Sequence, residues 1–409
     1  MFPSRSSTVS ESWDDFPPDA TTRWGWDDAN TTADRPSRPR LRAVSALEAM
    51  QEPAPIEVVE GVAWAGCITV LVAESSAGKT FVALDLAAAI SAGFSWHGRA
   101  VTQGTVVHIG YEGDAIGLRL RALHEHRHAR LEHVYRVKAA APLSPNITRD
   151  GETSGIGELD VLDALRTLAH DLETEGRPAI VLVIVDTVRA SLHGSEDSSD
   201  SVSAYLRAIR RLLEAIPPAA GLLVHHAGWQ DGDAAKKRER GSSALRGNVD
   251  ATLYLEAGDY VHETESAPLT LTTHKVRDGE RQAPLHFIRQ RVTFPDLDAH
   301  GKPLTSCVID PDPRSASDHA ADRAAKATAA QQVEDLRLLR LLLVQSDTMT
   351  SVERIRAALR IKKDAADATI ARLTVCGWIA PPAKQRAPYT ITLAGRTTLN
   401  GSGPTHDAD

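Results

Sequence analysis

The sequence predicts an α/β protein: a mainly parallel sheet flanked by helices, followed by a small C-terminal domain. Three observations carry that expectation. Continuously apolar runs recur at "CITVLVA" (67–73), "GTVVHIGYE" (104–112), "AIVLVIVDT" (179–187) and "GLLVHHA" (221–227). Stretches of helical composition separate them. Residues 333–400 hold eleven Lys and Arg against six Asp and Glu, a basic island in a chain of net charge −8. Apolar runs without alternation are buried on both faces, as strands are when crossover helices cover a parallel sheet.

The elements follow in order. Residues 1–44 are rich in Ser, Asp, Thr, Pro and Arg, with isolated Trp13, Trp24 and Trp26. They carry too little apolar area to offset the entropy of ordering, and a disordered extension is expected. The main domain is expected over 45–309. The strand 67–73 leads into a helix over 80–93 closed by Gly93. A strand over 104–112 precedes an Arg/His-rich helix at 115–130. A helix near 158–175 precedes the strand 179–187, and one near 200–215 precedes 221–227. Stretches at 251–256, 268–275 and 285–294 alternate more and lie closer together, which predicts an antiparallel extension. Residues 310–332 read as a linker, partly helical at its end.

The second domain spans 333–400, with 401–409 as a tail. Helices are expected at "VEDLRLLRLLLVQ", at "SVERIRAALRI" capped by Ser351, and at "KKDAADATIARLTVCGWI". "APYTITLAGRTTL" reads as a hairpin wing. That is the order of a winged helix-turn-helix, with Lys362, Lys363 and Arg372 as contacts to duplex DNA. A protein-docking role for such a module is the alternative.

Composition excludes several classes. At 409 residues, 42% hydrophobic and 24% charged, the chain is long enough for two or three domains of globular type. Overall acidity argues against a protein that coats nucleic acid indiscriminately. The scattered Cys67, Cys307 and Cys376 form neither a zinc site nor a disulfide framework. With no apolar run of membrane-spanning length and a polar N-terminus, a cytoplasmic protein without membrane contact is expected.

The chemistry centres on "LVAESSAGKT" (71–80), which fits G-x-x-x-x-G-K-[ST] except that Ala73 replaces the first glycine. A strand turning sharply into a helix points backbone N–H groups at one spot, and the helix dipole adds to the field there. Residues Ala73, Glu74, Ser75, Ser76, Ala77, Gly78, Lys79 and Thr80 would form this ATP-binding loop. Lys79 would neutralise the β- and γ-phosphates, and the Thr80 hydroxyl would ligate Mg²⁺. "VLVIVDT" delivers Asp186 to the carboxyl edge of the sheet, where it would orient the metal shell. Glu112 follows another buried strand and is the candidate general base, with Asp114 as the alternative. "LLVHHAG" places His225 and His226 on opposite faces of a strand tip, and His225 is taken as the γ-phosphate sensor. The long polar loop 234–251 carries Lys236, Lys237, Arg238, Arg240 and Arg246, suited to the phosphates of a nucleic-acid strand. "HKVRDGE" places Lys275 and Arg277 at a strand end, as a trans-acting finger if subunits form a ring or as an exposed basic edge.

Taken in order, A-x-x-x-x-G-K-T, Y-E-G-D, V-I-V-D-T, H-H-A-G, R-G-S-S-A-L-R-G-N-V-D and K-V-R-D-G-E resemble the RecA-like ATPases of the plasmid RepA hexameric-helicase family and its AAA_25 group. The resemblance covers about 45–300. It implies a RecA-like P-loop NTPase core that hydrolyses ATP with Mg²⁺, forms rings of identical subunits and moves along single-stranded DNA. It further implies Lys79 and Thr80 as phosphate-loop residues, Glu112 as catalytic glutamate, Asp186 as the metal-associated aspartate and His225 as sensor. Arg277 and Lys275 would bridge subunits. Two other expectations remain beside a replicative helicase or helicase-associated ATPase: a DNA-binding regulator that uses ATP as a conformational switch, and a recombination or repair ATPase.

Overall fold

The computed structural model describes residues 43–52, 54–111, 115–143, 146–148, 151–153, 155–227, 243–277, 279–314, 316–384 and 387–401. The N-terminal segment with Trp13, Trp24 and Trp26 lies outside the described residues. Two units divide the chain, 1–54 and 55–409. In the first, α1 (Ala46–Ala49) starts at a capping box: Glu48 N–H donates to the Ser45 hydroxyl, and Ser45 N–H donates to the Glu48 carboxylate.

The second unit opens with a hairpin of β1 (Glu57–Val59) and β2 (Ala63–Trp64). Then come β3 (Ile68–Ala73), α2 (Lys79–Ala92), β4 (Thr105–Gly110), α3 (Ile116–Arg127), β5 (Val134–Lys138) and a small hairpin of β6 (Asn146–Thr148) and β7 (Gly151–Thr153). Next are α4 (Ile156–Thr174), β8 (Ile180–Asp186), α5 (Val188–Ser191), α6 (Ser199–Glu214), β9 (Ala220–His226) and α7 (Ser243–Asn248). Four strands follow: β10 (Ala251–Ala257), β11 (Ser266–Val276), β12 (Leu285–Leu297) and β13 (Pro303–Pro311).

Nine of these strands form one sheet in the order β13-β12-β11-β10-β3-β9-β8-β4-β5. The six from β10 to β5 run parallel, and β11, β12 and β13 add antiparallel pairs at one edge. The sequence reading is corrected here: β10 pairs in parallel with β3 and belongs to the parallel part, while the last strand of the extension is β13.

Two apolar layers cover the sheet, and the strand period of two decides which residue faces which. Leu71 and Ala73 of β3 pack with Val82, Ala83 and Leu86 of α2, together with Leu222 and Val224 of β9 and Leu182 and Ile184 of β8. Ile68, Val70 and Val72 pack on the other face with Val161 and Leu165 of α4 and Tyr205 and Ile209 of α6. Even-numbered residues near the tips of β4, β8 and β9 therefore share the α2 face.

Asp250 ties the lower edge together. Its carboxylate accepts the Ile68 N–H at 2.9 Å, Arg277 at 3.0 Å and Arg210 at 3.4 Å. One group thus fixes the start of β3, the end of β11 and helix α6.

Beyond β13 lie α8 (Ala316–Gln345), a 3-10 turn at Ser346–Thr348, α9 (Val352–Leu359), α10 (Lys363–Val375), β14 (Ile379–Ala380), β15 (Thr390–Ile391) and α11 (Leu393–Gly401). Leu338, Leu339 and Leu342 of α8 meet Ile355, Leu359, Ile370 and Leu373 in a separate core. Two expectations change. Residues read as a linker with a partly helical end form the end of β13 and the first half of the 30-residue α8, so the helix starts earlier than expected. The segment read as a wing supplies only the two-residue strand β15, paired with β14, and then becomes helix α11.

Asp250→Ala is expected to destabilise the protein by about 2 kcal/mol, read as a lower midpoint in urea unfolding. Arg210 and Arg277 keep partial contact with water, so most of the loss comes from the stranded Ile68 N–H.

Candidate active site

Strand β3 ends at Ala73, and α2 begins at Lys79 after a five-residue loop. Ala73 is fully buried and lies in register between His226 of β9 and Leu255 of β10. Its carbonyl accepts the Ala227 N–H at 2.8 Å. The loop's positive φ angles fall instead on Ser76 (63°) and Gly78 (104°). Gly78 is the N-cap of α2, and a side chain there would also crowd Arg289, whose Cδ lies 3.3 Å from an added Cβ. The glycine absent from the motif therefore falls on a strand residue that has no need of one.

Lys79 is buried. Its Nζ donates to the carbonyls of Glu74 at 2.8 Å and Ala73 at 3.0 Å, and sits 3.2 Å from His226 Nδ1. The Thr80 hydroxyl donates to Asp186 Oδ2 at 2.7 Å across 106 residues of sequence. His108 Nε2, on β4, is 3.6 Å from the same oxygen. Lys79, Thr80, Asp186 and His226, with Arg119 and Phe81, border a cavity of about 310 Å³ at the carboxyl edge of the sheet. Arg119 comes from α3 and places its guanidinium 4.9 Å from the Phe81 ring centroid.

Burial alone would raise the Asp186 carboxyl. The His108 imidazole 3.6 Å away, the hydrogen bond from Thr80 and the charge of Arg119 outweigh that and hold it below the usual carboxylate range. An ionised carboxylate beside a primed hydroxyl fits a hard cation such as Mg²⁺, which takes few protein ligands and keeps phosphate and water oxygens. No cluster of three or more His, Cys, Asp or Glu side chains suited to a metal occurs among the described residues. A metal here would rest on Thr80 and Asp186.

The other expected site residues divide. Glu74, Ser75 and Ser76 are exposed on the loop and Ala77 is buried. His226, rather than His225, meets Lys79; His225 is buried on the α4 and α6 side because residues 220, 222 and 224 of β9 face α2. Lys275 Nζ donates to the carbonyls of Arg246, Gly247 and Val249, closing the end of α7. Arg277 pairs with Asp250 while remaining half exposed. Arg246, Lys362 and Lys363 are exposed. Arg372 is partly exposed and is engaged in an ion pair with Asp335 of α8. Glu112, Asp114, Lys236, Lys237, Arg238 and Arg240 lie outside the described residues. Arg119 and Arg289 were missed, because nothing in their local sequence shows that the fold brings them to the loop.

Residues 34–232 match the family model AAA_25, an AAA domain. The match covers just under half of the chain and supports an ATPase domain of the P-loop kind there. No curated protein matches the chain. No helix among the described residues is long and apolar enough to cross a membrane.

Two outcomes follow from this geometry. Ala73→Gly should cost about 0.5–1 kcal/mol of stability and leave nucleotide affinity within about twofold, measured by calorimetric titration. A tenfold gain, about 1.4 kcal/mol, would mean that the alanine is a handicap after all. Asp186 has its folded-state pKa below the unfolded value of about 3.9. Its ionised form therefore adds stability above that value and loses it as pH falls through the depressed one. In urea unfolding, the deficit of Asp186→Asn should be constant from about pH 8 to about pH 5 and shrink below about pH 4. A deficit that grows on acidification contradicts this.

Proposed function

We propose that this AAA domain hydrolyses ATP with Mg²⁺ to drive work on DNA, as a RepA-like replicative helicase or helicase-associated ATPase assembled in a ring of identical subunits. The observation that carries the ATPase reading is the convergence of Lys79, Thr80 and Asp186 on one cavity at the carboxyl edge of the sheet. The DNA and ring assignments rest on the family resemblance of the motifs.

Each group has a task in this reading. Lys79, held at the loop by two backbone carbonyls, turns to the β- and γ-phosphates when nucleotide enters. Thr80 and Asp186 would hold Mg²⁺, which would supply charge neutralisation at the phosphates. Glu112 follows Tyr111, whose N–H donates to the Asp186 carbonyl at 2.9 Å, and is the general base for the attacking water. His226 touches the phosphate-binding lysine and takes the sensor role first given to His225. Arg119 adds positive charge at the rim. Because Lys275 is occupied at the end of α7, Arg277 is the better candidate for contact with a neighbouring subunit.

For DNA, the proposal keeps Lys236, Lys237, Arg238, Arg240 and Arg246 as strand contacts and Lys362 and Lys363, at the start of α10, as duplex contacts. A second reading of the C-terminal domain has one observation in its favour. The exposed side of α10 carries Ala365, Ala368, Ala371 and Val375, the last 88% exposed. Such a face suits a protein partner better than a phosphate backbone.

The decisive measurement is ATP turnover with and without single-stranded DNA, on the wild type and on Glu112→Gln. Single-stranded DNA should stimulate the wild type, and Glu112→Gln should lower turnover by about 10²-fold or more with nucleotide still bound. Unchanged turnover in the variant removes Glu112 as base. Turnover indifferent to DNA removes the motor reading and leaves an ATP-dependent switch.

A further inference from the structure

Arg289 belongs to none of the motifs and lies on β12, in the antiparallel extension. Its guanidinium nevertheless reaches the phosphate loop, donating to the Ser76 carbonyl at 2.6 Å, across 213 residues of sequence. Ser76 is the non-glycine residue of that loop with a left-handed backbone. The next residue but one is Gly78, whose open side faces the Arg289 side chain.

The contact acts on one peptide plane. In a trans peptide the carbonyl of Ser76 and the N–H of Ala77 point in opposite directions. With the carbonyl held outward by Arg289, the N–H is turned into the loop, where it meets the Glu74 carbonyl at 3.3 Å. Reversal of this plane would set a carbonyl oxygen against the Glu74 carbonyl, which also accepts from Lys79, and so would disturb the loop around that lysine. A charged donor makes the stronger kind of hydrogen bond, and it opposes the cost of the left-handed conformation at Ser76.

We propose that Arg289 is a positioning residue for nucleotide binding, which sets the Ser76–Ala77 peptide plane and so keeps the phosphate loop in its binding shape. It acts through the backbone and does not border the cavity itself. The inference rests on the nucleotide reading of that cavity. It also makes the antiparallel extension part of the ATPase machinery, since β12 holds the loop from outside the parallel core.

The test is titration with a fluorescent N-methylanthraniloyl ADP in the presence of Mg²⁺, on the full chain, with thermal melting of each variant. Arg289→Met keeps the aliphatic stem and removes the donor; Arg289→Lys keeps a cationic donor. Arg289→Met is expected to bind about tenfold more weakly or worse with at most a small fall in melting temperature, and Arg289→Lys to recover most of the loss in binding. Wild-type affinity in Arg289→Met overturns the inference while the nucleotide reading stands. So does weak binding in both variants with a matching fall in melting temperature, because the effect is then one of folding. Lys79→Ala is the control: if the wild type binds no better than Lys79→Ala, the nucleotide reading fails and this inference with it.

Discussion

The hydrogen bond from the Thr80 hydroxyl to the Asp186 carboxylate is the constraint on which the rest of the site depends. Thr80 lies in the first turn of α2, which leaves the end of β3, while Asp186 ends β8, and β9 lies between the two strands. The bond can form only if α2 leans across β9 on the face that Asp186 shares. Once that face is chosen, the strand period fixes everything at the carboxyl edge. His108, Asp186 and His226 come to the helix side, and His225 is sent to the other. A one-residue slip in any of these strands would send the functional tip to the other face of the sheet.

Electrostatics builds on that placement. A buried ammonium needs partners, and Lys79 finds them in the carbonyls of Ala73 and Glu74 beside His226. The lysine is therefore at its station before nucleotide arrives, and its hydrogen bonds are the ones a phosphate would replace. Asp186 is held ionised by His108 and Thr80 against the cost of its burial. Arg119 adds charge where the cavity opens. With Asp186 and Arg119 already in place, the exchange of the Lys79 hydrogen bonds is the main rearrangement a phosphate would require, and a small rearrangement favours electrostatic stabilisation.

Much of the fold was legible because the parallel strands are continuous apolar runs and their helices carry clear ends. The same continuity hid the parity of the histidines: a strand apolar on both sides does not say which side α2 covers, so His225 and His226 could not be told apart. Strand β13 escaped notice because "PLTSCVIDP" is half exposed and mixed in character; only its pairing with β12 makes it a strand. The alanine-rich start of α8 lacks an apolar stripe, since most of its described residues are exposed, and it reads as linker by composition. Arg372 looked like a DNA contact because charge in sequence does not reveal a partner such as Asp335, 37 residues away. Arg119 and Arg289 show the deeper limit. Their roles come from long-range juxtaposition, and no local pattern encodes it.

The substituted motif glycine shows what the phosphate loop needs in physical terms. A glycine is required where the backbone is left-handed or where a neighbour leaves no room for Cβ. Ala73 meets neither condition: it is the last extended residue of β3, and its methyl group packs in the layer beneath α2. Gly78 meets the first outright and is crowded by Arg289 besides. The left-handed turn still has to be made before Gly78, and Ser76 makes it. A serine in that conformation is costlier than a glycine, so its stability has to come from outside the loop. The bond from Arg289 lies on the one carbonyl where such support is useful. The loop is thus a composite of a strand end, one glycine and a distant arginine, and the motif letters record only the part that is contiguous in sequence.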